Sequence, residues 1–254
     1  MASVRLQNCF DLAASLDDSS VDLLLTDPPY SGVLGADWDN QWTSAEAYAE
    51  WFCSVLEAFL PKLKPHASVI FFGGIGKHGD RPFFRTMLAI EAKGLLQYRN
   101  LITWKKRRAY GKSHDYLFCR EEIAWYSVSK ERAKVTFNIP LLAEKRGYAG
   151  FSERYPAKSE FKRVSNVWAD IPELMRPTRP AEKPVALMAR LVETHSYRGD
   201  LIVDPFAGTG ATGVAALSLG RRFVGCDTDQ DAVSIASKRC RIALQEAQEE
   251  GVSK

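Results

Sequence analysis

Residues 201–213 constrain this chain more than any other stretch. A short apolar run at 201–203 leads into Asp204-Pro205-Phe206-Ala207-Gly208-Thr209-Gly210-Ala211-Thr212-Gly213, and 211–219 then reads as a helix. Gly208, Gly210 and Gly213 satisfy G-x-G-x-x-G, and a strand at 222–226 is followed by Asp227. Glycines permit a tight turn, the helix N-terminus offers free N–H groups, and a carboxylate past the next strand can accept ribose hydroxyls. This is the layout of a nucleotide-type site, against the plainer possibility of a turn in which glycine only relieves packing. Only 41 residues follow Gly213, room for one more strand and helix. A dinucleotide fold that begins at its fingerprint needs several further βα units downstream. The missing strands must therefore come from upstream, and the order is permuted.

Upstream, short apolar runs alternate with amphipathic helices. Residues 21–26 (VDLLLT) are too few for a helix and stop at two prolines, so they read as a buried strand. Thr43 and Glu46 form a capping-box pattern before a helix with Tyr48, Trp51, Phe52, Val55, Leu56, Phe59, Leu60 and Leu63 on one face, closed by Pro65. Trp51, Phe52 and Phe59 read as core. A strand follows at 68–72, a helix at 81–93 and strands near 98–104 and 122–128. Residues 130–182 show no sustained period and hold five prolines, which marks a loop-rich insertion. Pro184 opens the next helix in its first turn, and Thr228 or Asp229 caps the last. The fold class expected is α/β with a doubly wound, mostly parallel sheet, divided as 1–129, the insertion 130–182, and 183–254.

Composition narrows the class without choosing the function. With 46% apolar and 26% charged residues, the chain is ordinary for a globular protein. No run approaches the ~18 apolar residues of a membrane span, and the N-terminus lacks the layout of a secretory signal. Five cysteines at irregular spacing, with no histidine at metal-ligand spacing from them, argue against a disulfide framework or a metal site and suit a reducing cytoplasm. The net charge of +3 hides an asymmetry: residues 105–183 hold 18 basic and 10 acidic side chains, while the rest is acidic. A basic middle in an acidic frame suits a polyanion partner, or a solvated surface.

The second informative motif is Asp27-Pro28-Pro29-Tyr30, at a strand end, where open parallel sheets bind ligands. Two prolines remove two backbone donors. What remains is the Asp27 carboxylate and the Pro28 carbonyl as acceptors, with the Tyr30 ring beside them. Acceptors plus a stacking ring suit a planar ligand bearing an amine, such as a nucleobase.

Together the two motifs, in this order, resemble the β-class S-adenosylmethionine-dependent amino-methyltransferases of DNA. The likeness extends over residues 6–30, Trp38-Asp39 with the aromatic helix, residues 180–198 with Lys183-Pro184, and residues 199–227, leaving 130–180 outside it. It implies a Rossmann-like methyltransferase fold with circularly permuted motifs and a target-recognition insertion. It implies S-adenosylmethionine as cofactor, held by Asn8, Lys183, Asp204, Phe206, Gly208, Thr209, Gly210, Thr212 and Asp227. Asn8 stands where the family often has an acidic residue, Asp227 replaces the more usual Glu, and Arg179 stands where His is common. Asp27, Pro28, Pro29 and Tyr30 are the expected catalytic group, acting on an adenine N6 amine flipped from duplex DNA.

The basic segment then has a reading of its own. Lys105, Lys106, Arg107, Arg108 and Lys112 follow a strand end and suit phosphates. In the insertion, Lys145, Arg146, Arg154, Lys158, Lys162 and Arg163, with Tyr148, Phe151 and Tyr155 between them, suit base-edge reading. Cytosine N4 is the neighbouring target, although cytosine members more often carry Ser at position 27. A nicotinamide dehydrogenase would use the same glycine turn but leaves Asp27-Pro28-Pro29-Tyr30 and the basic middle without a role. A catalytically dead binding module is a further reading, against which the intact Asp27, Tyr30, Gly208 and Gly210 argue. An RNA substrate fits the acceptor pair as well as DNA does, because the pair does not contact the 2′-hydroxyl. The short recognition region is an argument for a homodimer, and the resemblance leaves open a cognate restriction endonuclease.

Overall fold

The computed structural model describes residues 2–30, 41–74, 80–111, 113–114, 116–145, 150–152, 155–156 and 159–252. In chain order it contains β1 (Ala2–Leu6), α1 (Cys9–Ala14), β2 (Val21–Thr26), α2 (Ala45–Phe59), β3 (Leu63–Gly73), α3 (Pro82–Ala92), β4 (Gln97–Tyr110) and β5 (Phe118–Ser127). There follow β6 (Leu141–Lys145), β7 (Gly150–Ser152), β8 (Tyr155–Pro156), β9 (Phe161–Arg163) and β10 (Val167–Trp168). The chain closes with α4 (Val185–His195), β11 (Leu201–Asp204), α5 (Ala211–Ser218), β12 (Arg222–Asp227) and α6 (Gln230–Val252).

Eight strands form one sheet in the order β1-β12-β11-β2-β3-β5-β4-β10. The first five run parallel, β5 is antiparallel to both β3 and β4, and β10 is parallel to β4. Every position of β2 is buried, because the two sheet faces are both covered and successive side chains point to opposite sides. Leu24, Val69, Phe71, Tyr126, Val203 and Val224 join the core beneath α1, α2 and α3. Their neighbours Leu23, Leu25, Ile70, Phe72, Trp125, Ile202 and Phe223 join the core beneath α4, α5 and α6. The sheet is doubly wound, as the alternation of strands and helices implied. The late β11-α5-β12 unit is threaded between β1 and β2, so sequence from both chain ends builds its centre.

Several local readings need correction. The N-cap of α2 is Ser44, whose hydroxyl accepts the Ala47 N–H, and not Thr43. The helix ends at Phe59 and a short 3-10 turn, and Pro65 lies inside β3. Pro184 is the N-cap of α4 and stands before its first turn. Asp229, and not Thr228, caps α6 by accepting from the Asp231 and Ala232 N–H groups. β1 and α1 were not anticipated. The loop-rich insertion carries short strands: β6 pairs with β9, β7 with β8, and β10 is stitched onto the main sheet through β4.

Gly213 shows how closely the late unit is packed. A Cβ there would meet Cys240 Sγ and the Phe223 ring at 2.6 Å. Both neighbours are buried side chains with little room to yield. Gly213→Ala is expected to lower unfolding free energy by about 1–3 kcal/mol. In urea this appears as a lower midpoint with an unchanged slope.

Candidate active site

The carboxyl ends of β1, β12, β11 and β2 lie side by side, with Leu6 in register with Asp227 and Asp204 with Gly225. The chain leaves β11 at Asp204 and turns through Gly208 (φ +49°) and Gly210 (φ +83°) before α5. Both torsions lie in the left-handed region that glycine enters freely. A Cβ at Gly210 would strike Ala236 of α6 at 2.9 Å, whereas among the described residues, chain neighbours aside, nothing lies within 4 Å of one at Gly208. The turn is thus packed on one side and open at Gly208.

Asp204 is fully committed to holding that turn. Its Oδ1 accepts from Thr26 Oγ1 at 2.8 Å and from the Phe206 N–H at 3.1 Å, and its Oδ2 from Thr212 Oγ1 at 2.7 Å. Burial lifts its pKa to about 6 against the pull of these donors. Thr209 is likewise engaged, its carbonyl and hydroxyl each accepting from Arg239 Nη1 at 2.9 Å. Asp227 Oδ2 accepts the Gly208 N–H at 2.9 Å and Oδ1 the Asp229 N–H at 2.9 Å. A carboxylate has about four acceptor positions, so Asp227 keeps capacity for a ligand hydroxyl. Asn8 is the N-cap of α1, its Oδ1 accepting from the Asp11 N–H and its Nδ2 donating to Asp11 Oδ2. Phe206 is half-buried against Trp51, ring centroids 5.7 Å apart. Trp51 is therefore a wall of this turn as well as part of the core.

The second half of the site follows β2. Asp27 Oδ2 accepts from Lys183 Nζ at 2.6 Å, and Asp27 Oδ1 from the Tyr30 hydroxyl at 2.6 Å. The same hydroxyl lies 3.2 Å from Glu121 Oε2, and Lys183 Nζ lies 3.3 Å from that oxygen. Lys106 pairs with Glu121 Oε1 from the neighbouring strand β4. The Lys183 ammonium stands 5.2 Å from the Tyr30 ring centroid and 5.3 Å from that of Phe72. Its side chain is 3% exposed and that of Glu121 9%.

These charges shift one another. Burial, with Glu121 beside it, holds the Asp27 carboxyl above its ordinary pKa against the pull of Lys183 and Tyr30. Burial pushes Glu121 up as well, but Lys183 and Lys106 outweigh it and keep that carboxyl below the usual range. Lys183 is pushed down by burial, yet its two carboxylates hold it above the ordinary lysine value. Burial and the two carboxylates raise the Tyr30 phenol well above its usual range, so it stays a donor.

Lys183 thus reaches Asp27, where sequence had placed it with the cofactor group. Lys106 is turned inward to Glu121, where sequence had offered it to phosphates. Lys105, Arg107 and Arg108 are exposed, with the Arg107 and Arg108 N–H groups held by the Glu173 carboxylate at 2.8 and 2.9 Å. Lys145 pairs with Glu160 and Lys162 with Glu144 across the insertion, and Arg163 is exposed. Trp38, Asp39, Lys112, Arg146, Tyr148, Arg154 and Lys158 lie outside the described residues, as do the side chains of Phe151 and Tyr155. Glu121 was missed altogether. Its signal was the pair Glu121-Glu122 directly before the apolar run IAWY, since carboxylates entering a buried strand demand partners. A cavity of about 190 Å³ opens beside the group, walled by Trp104, Lys106, Glu121, Glu173, Pro177 and Lys183. Among the described residues no cluster of His, Cys, Asp or Glu could hold a metal, and no helix is long and apolar enough to cross a membrane.

Residues 21–238 match the family model described as DNA methylase, of the N6/N4 methyltransferase type. The chain belongs to this family. It is 28% identical over 243 residues to the type II methyltransferase M.HpaI of Haemophilus parainfluenzae, covering 91% of this chain and 72% of the relative. It is 26% identical over 258 residues to M1.MboII of Moraxella bovis, covering 92% and 94%. Among solved structures, the cytosine-N4-specific PvuII DNA methyltransferase superposes with a TM-score of 0.72 at 17% identity, covering 94% of this chain and 86% of that one. The M1.HpyAVI–SAM complex does so with a TM-score of 0.63 at 20% identity, covering 94% and 100%. The hydride-transfer reading gives way to a methyltransferase of DNA, with S-adenosylmethionine as its cofactor. The residues present fit that group: an open approach at Gly208, spare acceptor capacity on Asp227 and an aromatic wall at Phe206.

Two outcomes follow from the buried charges. Lys183→Met leaves two carboxylates sharing a site without their common cation and is expected to cost about 3–5 kcal/mol of unfolding free energy in urea. Asp204, whose pKa rises on folding from 3.8 to about 6, stabilises the fold below the lower value and loses that contribution as pH rises through the upper. The stability of the wild type relative to Asp204→Asn should therefore fall by roughly 1–3 kcal/mol between about pH 4 and pH 7. Urea titrations of both proteins across that range check the slope.

Proposed function

We propose that this DNA methylase transfers the methyl group to the exocyclic N6 amine of adenine in a specific duplex sequence, with the target base flipped from the helix. The observation that carries the reading is the Asp27 carboxylate, fixed at the end of β2 and tied through Thr26 and Asp204 to the glycine turn. S-adenosylmethionine supplies a methyl group on a sulfonium, which leaves as a neutral thioether.

The amine of a nucleobase is a poor nucleophile because its lone pair is conjugated with the ring. Acceptors for both of its N–H groups favour the tetrahedral nitrogen and the positive charge that develop in attack. Asp27 Oδ1 or Oδ2 and the Pro28 carbonyl take that role, and Pro28 and Pro29 add no competing backbone donors. As the N–C bond forms, the amine becomes an ammonium and gives its proton to Asp27 or solvent. Tyr30 offers a ring to the flipped base, which offsets part of the unstacking cost. Lys105, Arg107 and Arg108 face solvent and suit phosphate contacts, while Lys145, Lys162 and Arg163 suit contacts from the insertion. Asp204, Thr209 and Thr212 act by shaping the turn, since their side chains are already bonded within the protein.

Cytosine N4 is the second reading, favoured by the structural likeness to the cytosine-N4-specific PvuII enzyme. The acceptor pair serves either base. Asp at position 27, where cytosine members more often carry Ser, supports adenine. Transfer of labelled methyl to mixed-sequence duplex DNA, followed by nucleoside analysis, decides between them. Label in N6-methyladenine is expected, reduced about 10²–10³-fold or more in Asp27→Ala. Label in N4-methylcytosine moves the target, and failure to bind S-adenosylmethionine overturns the reading.

A further inference from the structure

The group around Asp27 contains more than the acceptor motif requires. Lys183 Nζ has three donors and meets three acceptors: Asp27 Oδ2 at 2.6 Å, Ala181 O at 3.2 Å and Glu121 Oε2 at 3.3 Å. Both donors that hold Asp27, the Lys183 ammonium and the Tyr30 hydroxyl, therefore also reach one oxygen of Glu121. The other oxygen of Glu121 is pinned by Lys106, two positions along β4 from Trp104, the register partner of Glu121. The charged groups facing Asp27 are thus Lys183 from the segment before α4, Glu121 from β5, Lys106 from β4 behind it, and the Asp204 carboxyl from β11, with Tyr30 on its own loop.

We infer that Glu121 is a positioning residue that competes with Asp27 for the Lys183 ammonium and so keeps the Asp27 carboxylate available to the incoming amine. The inference rests on reading Asp27 as the acceptor in methyl transfer. A carboxylate paired alone with a buried ammonium is a poor acceptor, because its electron density is already committed to a short charge-assisted bond. Glu121 draws part of that interaction away. Lys106 keeps Glu121 ionised while it does so, and the two carboxylates and two ammoniums balance. Asp27 is left with a fixed direction but unspent acceptor strength. Burial is the chief cause of the upward Asp27 shift, and beside it Glu121 raises the carboxyl where Lys183 lowers it.

The test uses protein labelled with carbon-13 at aspartate carboxyls, the Asp27 resonance being assigned by its loss in Asp27→Asn. Removing the negative charge in Glu121→Gln should lower the Asp27 titration midpoint by roughly one pH unit. Glu121→Asp, which keeps the charge, should leave it near the wild-type value. On mixed-sequence duplex DNA, kcat for methyl transfer should fall about tenfold in Glu121→Gln, with KM for S-adenosylmethionine unchanged and most of the loss recovered in Glu121→Asp. An Asp27 midpoint that does not move in Glu121→Gln overturns the inference. So does equal impairment of the two variants, which marks a merely structural residue. If the wild type transfers no methyl while the Asp27 midpoint still falls in Glu121→Gln, the methyl-transfer reading is overturned and the Glu121–Asp27 coupling stands.

Discussion

One buried carboxyl joins the two halves of this site. Asp204, at the end of β11, accepts from Thr26 at the end of β2, from the Phe206 N–H of the glycine turn and from Thr212 of α5. Thr26 is the residue immediately before Asp27, 178 positions earlier in the chain. This side chain therefore ties the proposed acceptor motif to the glycine turn. Main-chain register alone could not do this, because β2 and β11 share only two register positions, neither of them at Thr26 or Asp204. The three donors satisfy a group that would otherwise be costly to bury. Methyl transfer needs donor carbon and acceptor nitrogen aligned within a few tenths of an ångström, and this clamp is where the permuted order of the chain becomes an advantage. The two motifs arrive from opposite ends of the sequence and meet at adjacent strands.

The charges around Asp27 are an expensive arrangement. Ion pairs taken out of water often gain less than their desolvation costs, and an apolar core of equal volume would hold the strands at least as well. Lys183, Glu121 and Lys106 are therefore poorly explained as stability devices. What a hydrophobic cluster cannot provide is a carboxylate held in a fixed direction. Tyr30 serves the same end, because its hydroxyl holds Asp27 while its ring sits close to the Lys183 ammonium.

Much of this was legible in the chain. The strand before Asp27, the glycine turn, Asp227 and the doubly wound alternation all rest on short apolar runs ended by residues that leave no choice of conformation. β1 and α1 escaped because an edge strand half-exposed along its length, followed by a six-residue helix, has no sustained apolar period. Ser44 and Thr43 are chemically equivalent as caps, and only the backbone decides which is used. Charge counting treated Lys105, Lys106, Arg107 and Arg108 as one patch, whereas in a strand neighbouring side chains face opposite ways, and Lys106 turns into the protein. Lys183 was legible as important but not in its direction. A long flexible side chain beside two sites can serve either, and here its donors go to Asp27 and Glu121.

The segment carrying Lys183 is itself anchored to the cofactor turn. Glu182, the preceding residue, pairs with Arg239 of α6 at 2.6 Å, and Arg239 in turn donates to both oxygens of Thr209. Arg179, three residues earlier, pairs with Asp229, the cap of α6. Polar contacts thus lead from Thr209 through Arg239 to Glu182, whose chain neighbour Lys183 bonds Asp27, and from Thr212 through Asp204 to Thr26, the chain neighbour of Asp27. Two independent braces fix one carboxylate against one turn. A displacement of the glycine turn must strain both, which couples the position of the turn to that of the Asp27 carboxylate. With Asp27 as the proposed acceptor, such preorganisation places the cost of alignment in folding and removes it from the methyl-transfer step.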